Sequence, residues 1–161
     1  MDTKIIATGG TFDKRYDPIA GTLAFGQTHL VEILARARAA QAIRFESLMQ
    51  IDSLEMGEAH RTQVLAACRD CAERRVVVIH GTDTMVDTAK TLGEAALDKT
   101  VVLTGAMIPY DVAGSDALFN LGFALGCAGA LAPGVYVAMN ARVFRWNEVR
   151  KNRVLGVFEA A

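Results

Sequence analysis

Four threonines stand in two short motifs, Thr8-Gly9-Gly10-Thr11 and His80-Gly81-Thr82-Asp83-Thr84. A threonine hydroxyl becomes a useful nucleophile only when a neighbour removes its proton. Three side chains close behind Thr11 could assist it: Asp13, Lys14 and Tyr16. Gly9 and Gly10 let the backbone turn sharply and approach a ligand closely, although the same four residues would also make an ordinary tight turn. Thr82 at a helix start would offer its hydroxyl beside free backbone N–H groups, which suit an oxyanion or a carboxylate. Asp83 there is equally a favoured helix N-cap. Ser53, in Asp52-Ser53-Leu54-Glu55-Met56, is either a turn serine or a hydroxyl for a ligand carboxylate. Asp116 reads as a helix-start residue. The basic run Arg142, Arg145, Arg150, Lys151 and Arg153 reads as solvated surface, from which one lysine could reach the other groups and act as a base.

These residues need elements to bring them together. Residues 4–7, 43–48, 76–79, 101–103 and 135–138 are short apolar runs, with Val76-Val77-Val78-Ile79 the strongest strand signal. Between them, residues 29–39, 58–73, 83–96 and 115–127 carry helical patterns. Leu30, Ile33, Leu34 and Ala37 show the i, i+3, i+4, i+7 spacing of a buried face. Strand alternating with helix predicts right-handed crossovers and a mostly parallel sheet covered on both faces. The expected fold is one three-layer, doubly wound α/β domain over residues 1–161. In such a sheet the ligand lies beyond the carboxyl ends of the strands. The polar, glycine-rich segments sit at those ends: Thr8–Thr11 after the first strand, His80–Thr84 after the third, Thr104-Gly105-Ala106-Met107 after the fourth. The last strand leads through Asn140 toward Lys151.

Bulk properties narrow the function classes. Hydrophobic residues make up 52% of the 161, which excludes disorder. The net charge is -1, from 17 basic and 18 acidic side chains, and offers no electrostatic case for nucleic acid or an acidic membrane surface. No apolar stretch reaches membrane-spanning length, and the N-terminus lacks a signal-peptide core. Cys68, Cys71 and Cys127 are too few for a disulfide framework, so a reduced, cytoplasmic protein is expected. The Cys68-x-x-Cys71 pair falls late in a helical stretch, away from the helix start that activates redox thiols. Neither it nor the scattered His29, His60 and His80 has metal-ligand spacing, so no metal and no cofactor are expected. G-x-G-x-x-G and Walker motifs are absent.

Three stretches then carry a resemblance: Thr8-Gly9-Gly10-Thr11-Phe12-Asp13-Lys14; His80-Gly81-Thr82-Asp83-Thr84-Met85 with Thr88-Ala89; and Leu103-Thr104-Gly105-Ala106-Met107-Ile108-Pro109 with Asp116 and Asn120-Leu121. In order and spacing the sequence resembles the bacterial-type L-asparaginase family, in a short form without the C-terminal domain. The resemblance implies an amidohydrolase that converts L-asparagine to L-aspartate and ammonia. It implies Thr11 as the first catalytic threonine, with Tyr16 activating it, and Thr82 as the second. Asp83 would bind the substrate ammonium and support Thr82, and Lys151 would pair with both. Ser53 would hold the substrate α-carboxylate, and Ala106 would lie among backbone groups around the reacting amide. The family also implies a homo-oligomer, a dimer or a tetramer.

Two departures bear on substrate choice. Leu54 stands where many long-form members have a glutamine that touches the substrate. Long-form members also take an acidic residue from a neighbouring subunit's C-terminal domain, which this chain, ending at Ala161, does not supply in the same way. Two other readings use the same residues: a binding module that senses an amino acid without turnover, and an amidase for glutamine or another amide.

Overall fold

The β-branched run Val76–Ile79 cannot lie anywhere but inside a sheet that is covered on both faces, and the computed structural model, which describes residues 2–161, puts it at the centre of one. In chain order the elements are β1 (Thr3–Gly9), β2 (Lys14–Asp17), β3 (Thr22–Phe25), α1 (Leu30–Arg36), β4 (Ile43–Ile51), α2 (Glu58–Asp70), β5 (Arg75–Ile79), α3 (Met85–Glu94), β6 (Thr100–Thr104), α4 (Ala117–Ala130), β7 (Gly134–Met139), β8 (Arg142–Arg145), β9 (Val149–Asn152) and β10 (Val157–Ala160). Short 3-10 turns occupy Thr11–Asp13 and Ser53–Glu55. The main sheet has the order β4-β1-β5-β6-β7-β8. Its first five members pair in parallel, and β8 adds an antiparallel edge.

Alternation along the strands divides the core. On β5, Val77 and Ile79 pack with Leu30 and Ile33 of α1 and with Ala117, Leu121, Ala124 and Ala128 of α4. Val76 and Val78 face the other way, toward Val64 and Cys68 of α2 and Met85, Ala89 and Leu92 of α3. That second layer also receives Val149 and Phe158 of the β9–β10 hairpin, which anchor the hairpin's apolar side against the core. Three layers result, as the strand–helix alternation predicts.

Each of the five predicted strands falls within an observed one. The helices differ at their ends. The first is predicted over 29–39 but stops at Arg36, because Arg38 takes a left-handed φ of 49°. The third is predicted from residue 83 but starts at Met85, with Thr84 as its N-cap. Asp83 is thus released from capping. The hairpins β2–β3 and β9–β10 and the edge strand β8 have no counterpart in the predicted elements. They are four residues each with at most one buried position, and they lack the continuous buried apolar runs that reveal central strands.

Candidate active site

Counted in chain order, the parallel strands run 2-1-3-4-5, so β4 and β5 leave β1 on opposite sides. The crevice between β1 and β5 is where such a sheet opens to a ligand. Thr11 follows β1 and Thr82 follows β5. Thr8 Oγ1 donates to Ile79 O at 3.0 Å, and Gly10 N donates to Ile51 O at 3.0 Å, which ties the ends of β1, β4 and β5 together. The loops touch through their glycines. A Cβ added to Gly10 would lie 2.5 Å from Gly81 Cα and N, and one added to Gly81 would lie 2.6 Å from Ser53 Cβ and Oγ. Thr84 Oγ1 donates to Ser53 O at 2.7 Å and fastens that turn to the start of α3.

Lys151 comes to this corner from β9. Its Nζ lies 2.8 Å from Thr82 Oγ1 and 2.8 Å from Asp83 Oδ1. The lysine side chain is only 9% exposed, against 34% for Asp83. Thr82 is buried, and its Oγ1 also contacts Met107 Sδ at 3.5 Å. A hydroxyl, an amine and a carboxylate within hydrogen-bonding reach form the kind of set that moves a proton on and off an oxygen.

The three side chains considered as helpers of Thr11 differ in how they are engaged. Asp13 is buried, accepts Thr28 Oγ1 at 3.0 Å, and has its pKa raised chiefly by burial. Lys14 is bound to Asp52 Oδ2 at 2.6 Å and holds that carboxyl below its usual range, helped by the Leu54 N–H. Tyr16 lies on the β2–β3 hairpin, 60% exposed, and among the described residues no hydrogen bond engages its hydroxyl. Thr11 is half-buried at the head of its turn. Ser53 is buried beside Gly81, and Ala106 is buried just past β6.

The family model described as Asparaginase, N-terminal, matches residues 3–157. The chain belongs to the asparaginase family. It is 28% identical to the glutaminase-asparaginase of Pseudomonas fluorescens biotype A, over 91% of this chain and 44% of that protein. It is 35% identical to a subunit of the glutamyl-tRNA(Gln) amidotransferase of Pyrococcus horikoshii, over 74% of this chain and 29% of that one. Its fold is similar to that of the thermostable L-asparaginase from Thermococcus kodakarensis, with a TM-score of 0.89 and 28% identity, covering 99% of this chain and 51% of that one. The chain thus spans about half or less of the length of these relatives.

Two groups in this asparaginase domain escaped the role assignments made from sequence. The first is Asn120, the buried polar residue on the core face of α4. Its Nδ2 donates to Gly105 O at 3.1 Å and to Asp116 Oδ2 at 2.8 Å, and its Oδ1 accepts Asn140 N at 3.2 Å. Asp116, instead of capping α4, accepts the Met107 and Ile108 N–H groups at 3.0 and 2.9 Å. Asn140 in turn accepts Phe158 N at 3.0 Å, and Phe158 pairs with Lys151 across the hairpin. A continuous set of hydrogen bonds therefore links the loop around Ala106 to the strand that delivers Lys151. An asparagine within the apolar run Ala117–Ala130 is the signal that could have exposed it, since buried amides occur where their partners are fixed.

The second is His80. Its Nδ1 sits 2.7 Å from Gly81 O and its Nε2 2.8 Å from Thr88 Oγ1. A carbonyl only accepts, so Nδ1 carries a proton. Burial, aided by the Arg61 cation, pushes its pKa down from 6.5 to about 4, against the opposing effect of the Gly81 hydrogen bond. The unfolded chain therefore takes up a proton that the folded one refuses. Stability is intact above pH 6.5 and falls as the pH drops toward 4, by on the order of 3 kcal/mol in total from this residue. In melting curves taken across that window, His80→Gln should start lower but lose about 10 °C less on acidification. Parallel acid limbs for the two proteins would assign the loss to other groups.

The cysteine pair is structural. Cys68 is buried in the α2 face, which pushes its thiol up to about 12, and Cys71 Sγ donates to Cys68 O at 3.4 Å. A raised Cys68 is the opposite of the depressed pKa that a redox thiol needs.

Proposed function

We propose that this domain hydrolyses L-asparagine to L-aspartate and ammonia by threonine-dependent acyl transfer. The observation that carries the reading is Lys151 Nζ at 2.8 Å from both Thr82 Oγ1 and Asp83 Oδ1, beside the strand end that bears Thr11. A pocket that only bound an amino acid would have no use for a buried lysine on a hydroxyl. Thr11 Oγ1 attacks the side-chain amide carbon, and its proton passes through the hydroxyl of Tyr16, the helper with an uncommitted hydroxyl, to the departing nitrogen. Backbone N–H groups in the loops after β5 and β6, the latter at Ala106, stabilise the oxyanion; each such donor is worth about 100- to 1000-fold in rate. The nitrogen leaves as ammonia, and a water activated through Thr82 and Lys151 opens the Thr11 ester. Ser53 holds the α-carboxylate, and Asp83 stands nearest the α-amino group.

Ammonia release with asparagine and glutamine side by side tests the reading. Thr11→Val and Thr82→Val should each lose about 1000-fold, and intact mass should reveal an acyl adduct on Thr11 when deacylation is blocked by Thr82→Val. An adduct on Thr82 in the Thr11 variant reverses the assignment; no ammonia from any amide leaves a binding module. Amidase activity on glutamine is the second reading, favoured by the exposed, apolar Leu54 beside Ser53 and by the similarity to a glutaminase-asparaginase. A homo-oligomer, dimer or tetramer, is part of the same reading; Leu118 and Phe119 of α4, 52% and 60% exposed, offer an apolar face for it.

A further inference from the structure

The connection between β7 and β8 is two residues long, since Met139 pairs directly with Arg142. Asn140 and Ala141 fill it at φ of 56° and 59°, the doubly left-handed form of a tight hairpin turn. Asparagine tolerates a left-handed backbone, and glycine would serve that turn as well. The turn does not explain where the side chain goes. Asn140 Oδ1 leaves its own hairpin and accepts Phe158 N of β10 at 3.0 Å. Phe158 stands directly opposite Lys151 in the β9–β10 hairpin, so the two side chains project to the same face. Phe158 is buried in the core, and the lysine side chain, 9% exposed, meets Thr82 and Asp83. The depth at which Phe158 is seated therefore sets the reach of Lys151 Nζ. The ion pair of Arg150 with Glu159 and the hydrogen bond of Asn152 to Glu159 stay inside the hairpin, and fix its shape rather than its place. Asn140 refers it to a rigid frame: its own N–H is held by Asn120 Oδ1 at 3.2 Å, on α4.

We propose that Asn140 is a positioning residue for Lys151: its side-chain oxygen seats the hairpin so that the amine meets Thr82 Oγ1. It acts through Phe158 rather than on the substrate. This proposal rests on the amidase reading and adds the residue that places its base. A misplacement of about 1 Å in a catalytic group costs on the order of 100-fold in rate, so one hydrogen bond to a strand N–H carries a large kinetic effect. The turn and the hydrogen bond make separable demands on residue 140. Glycine meets only the first, and aspartate meets both.

The test measures kcat and KM for L-asparagine with the full chain, for Asn140→Gly and Asn140→Asp, each alone and in a Lys151→Met background. Asn140→Gly should lower kcat by about 100-fold and leave KM nearly unchanged, because Ser53 stands on a different loop. Asn140→Asp keeps the acceptor oxygen and should keep kcat within about twofold of wild type. With Lys151→Met already present, Asn140→Gly should cost nothing further. A wild-type kcat in Asn140→Gly, an equal loss in Asn140→Asp, or a loss that persists in the Lys151→Met background overturns the proposal. Asn140→Ser, whose hydroxyl stops one bond short of the Phe158 N–H, repeats the comparison if the glycine variant does not fold. If neither asparagine nor glutamine is hydrolysed, the amidase reading fails on its own, and acetylation by limiting acetic anhydride decides. Measured against the exposed Lys90, Lys151 should label about tenfold faster in Asn140→Gly than in wild type, and Asn140→Asp should match wild type. Equal labelling of Lys151 in all three proteins overturns the proposal.

Discussion

Replacing Lys151 with methionine should reduce ammonia release from asparagine by about a thousandfold while leaving the protein folded. The side chain keeps its stem, so its packing at the pocket wall survives. What disappears is the amine that lies 2.8 Å from Thr82 Oγ1. Positioned proton transfer contributes about 100- to 10,000-fold, and a hydroxyl left without its partner forfeits most of that. Stability should change little. Asp83 is 34% exposed and keeps Arg153 at 3.7 Å, so the lost ion pair is worth at most about 1 kcal/mol. Steady-state kinetics beside a melting curve separate the two effects. A variant that keeps a third of wild-type kcat would show that Lys151 is a structural prop and that proton transfer happens elsewhere.

The second large effect belongs to Gly10. Its φ of 73° and ψ of -172° lie in a region that essentially only glycine enters. A methyl group there would also stand 2.5 Å from the Gly81 backbone, which has no side chain to swing aside. Gly10→Ala therefore combines about 1–3 kcal/mol of backbone strain with a forced separation of the loops that bear Thr11 and Thr82. Denaturant unfolding should register a loss of about 3–4 kcal/mol, with activity falling in step as the threonines part. Gly21→Ala is the control: φ is +68°, yet nothing lies within 4 Å of its added Cβ. It should cost about 1 kcal/mol, from strain alone. Equal losses in the two variants would remove the contact between the loops from the explanation.

The parallel sheet was legible because its central strands are runs of residues buried on both faces, as Val76–Ile79 shows. The hairpins were not. Val149 and Phe158 are buried, but they stand nine residues apart with polar residues 150–153 and an exposed Val154-Leu155 turn between them, and the pairing they need lies across that turn rather than along the chain. Strand ends and glycines marked Thr11 and Thr82, since the sheet order alone sends both to one crevice. Lys151 was another matter: within its basic run it is the one lysine and so the one candidate base, but only family likeness gave it partners. Arg153 looked like solvated surface and is indeed largely exposed, yet it touches Asp83. Exposure is what hid it, because a surface charge has no periodicity to betray a fixed partner.

The distance in sequence between Lys151 and Thr82 has a consequence for the chain as it is made. The two are 69 residues apart. At about 5–20 residues per second, a ribosome adds the lysine roughly 3–14 s after the threonine. Throughout that interval the chain carries both threonine hydroxyls and no amine to act on Thr82. The hairpin that brings the lysine also needs Asn140 to receive the Phe158 N–H, so it cannot dock until residue 158 exists. On the proposed mechanism nascent chains would be silent toward amides, with competence arriving with the β9–β10 hairpin rather than growing with the sheet.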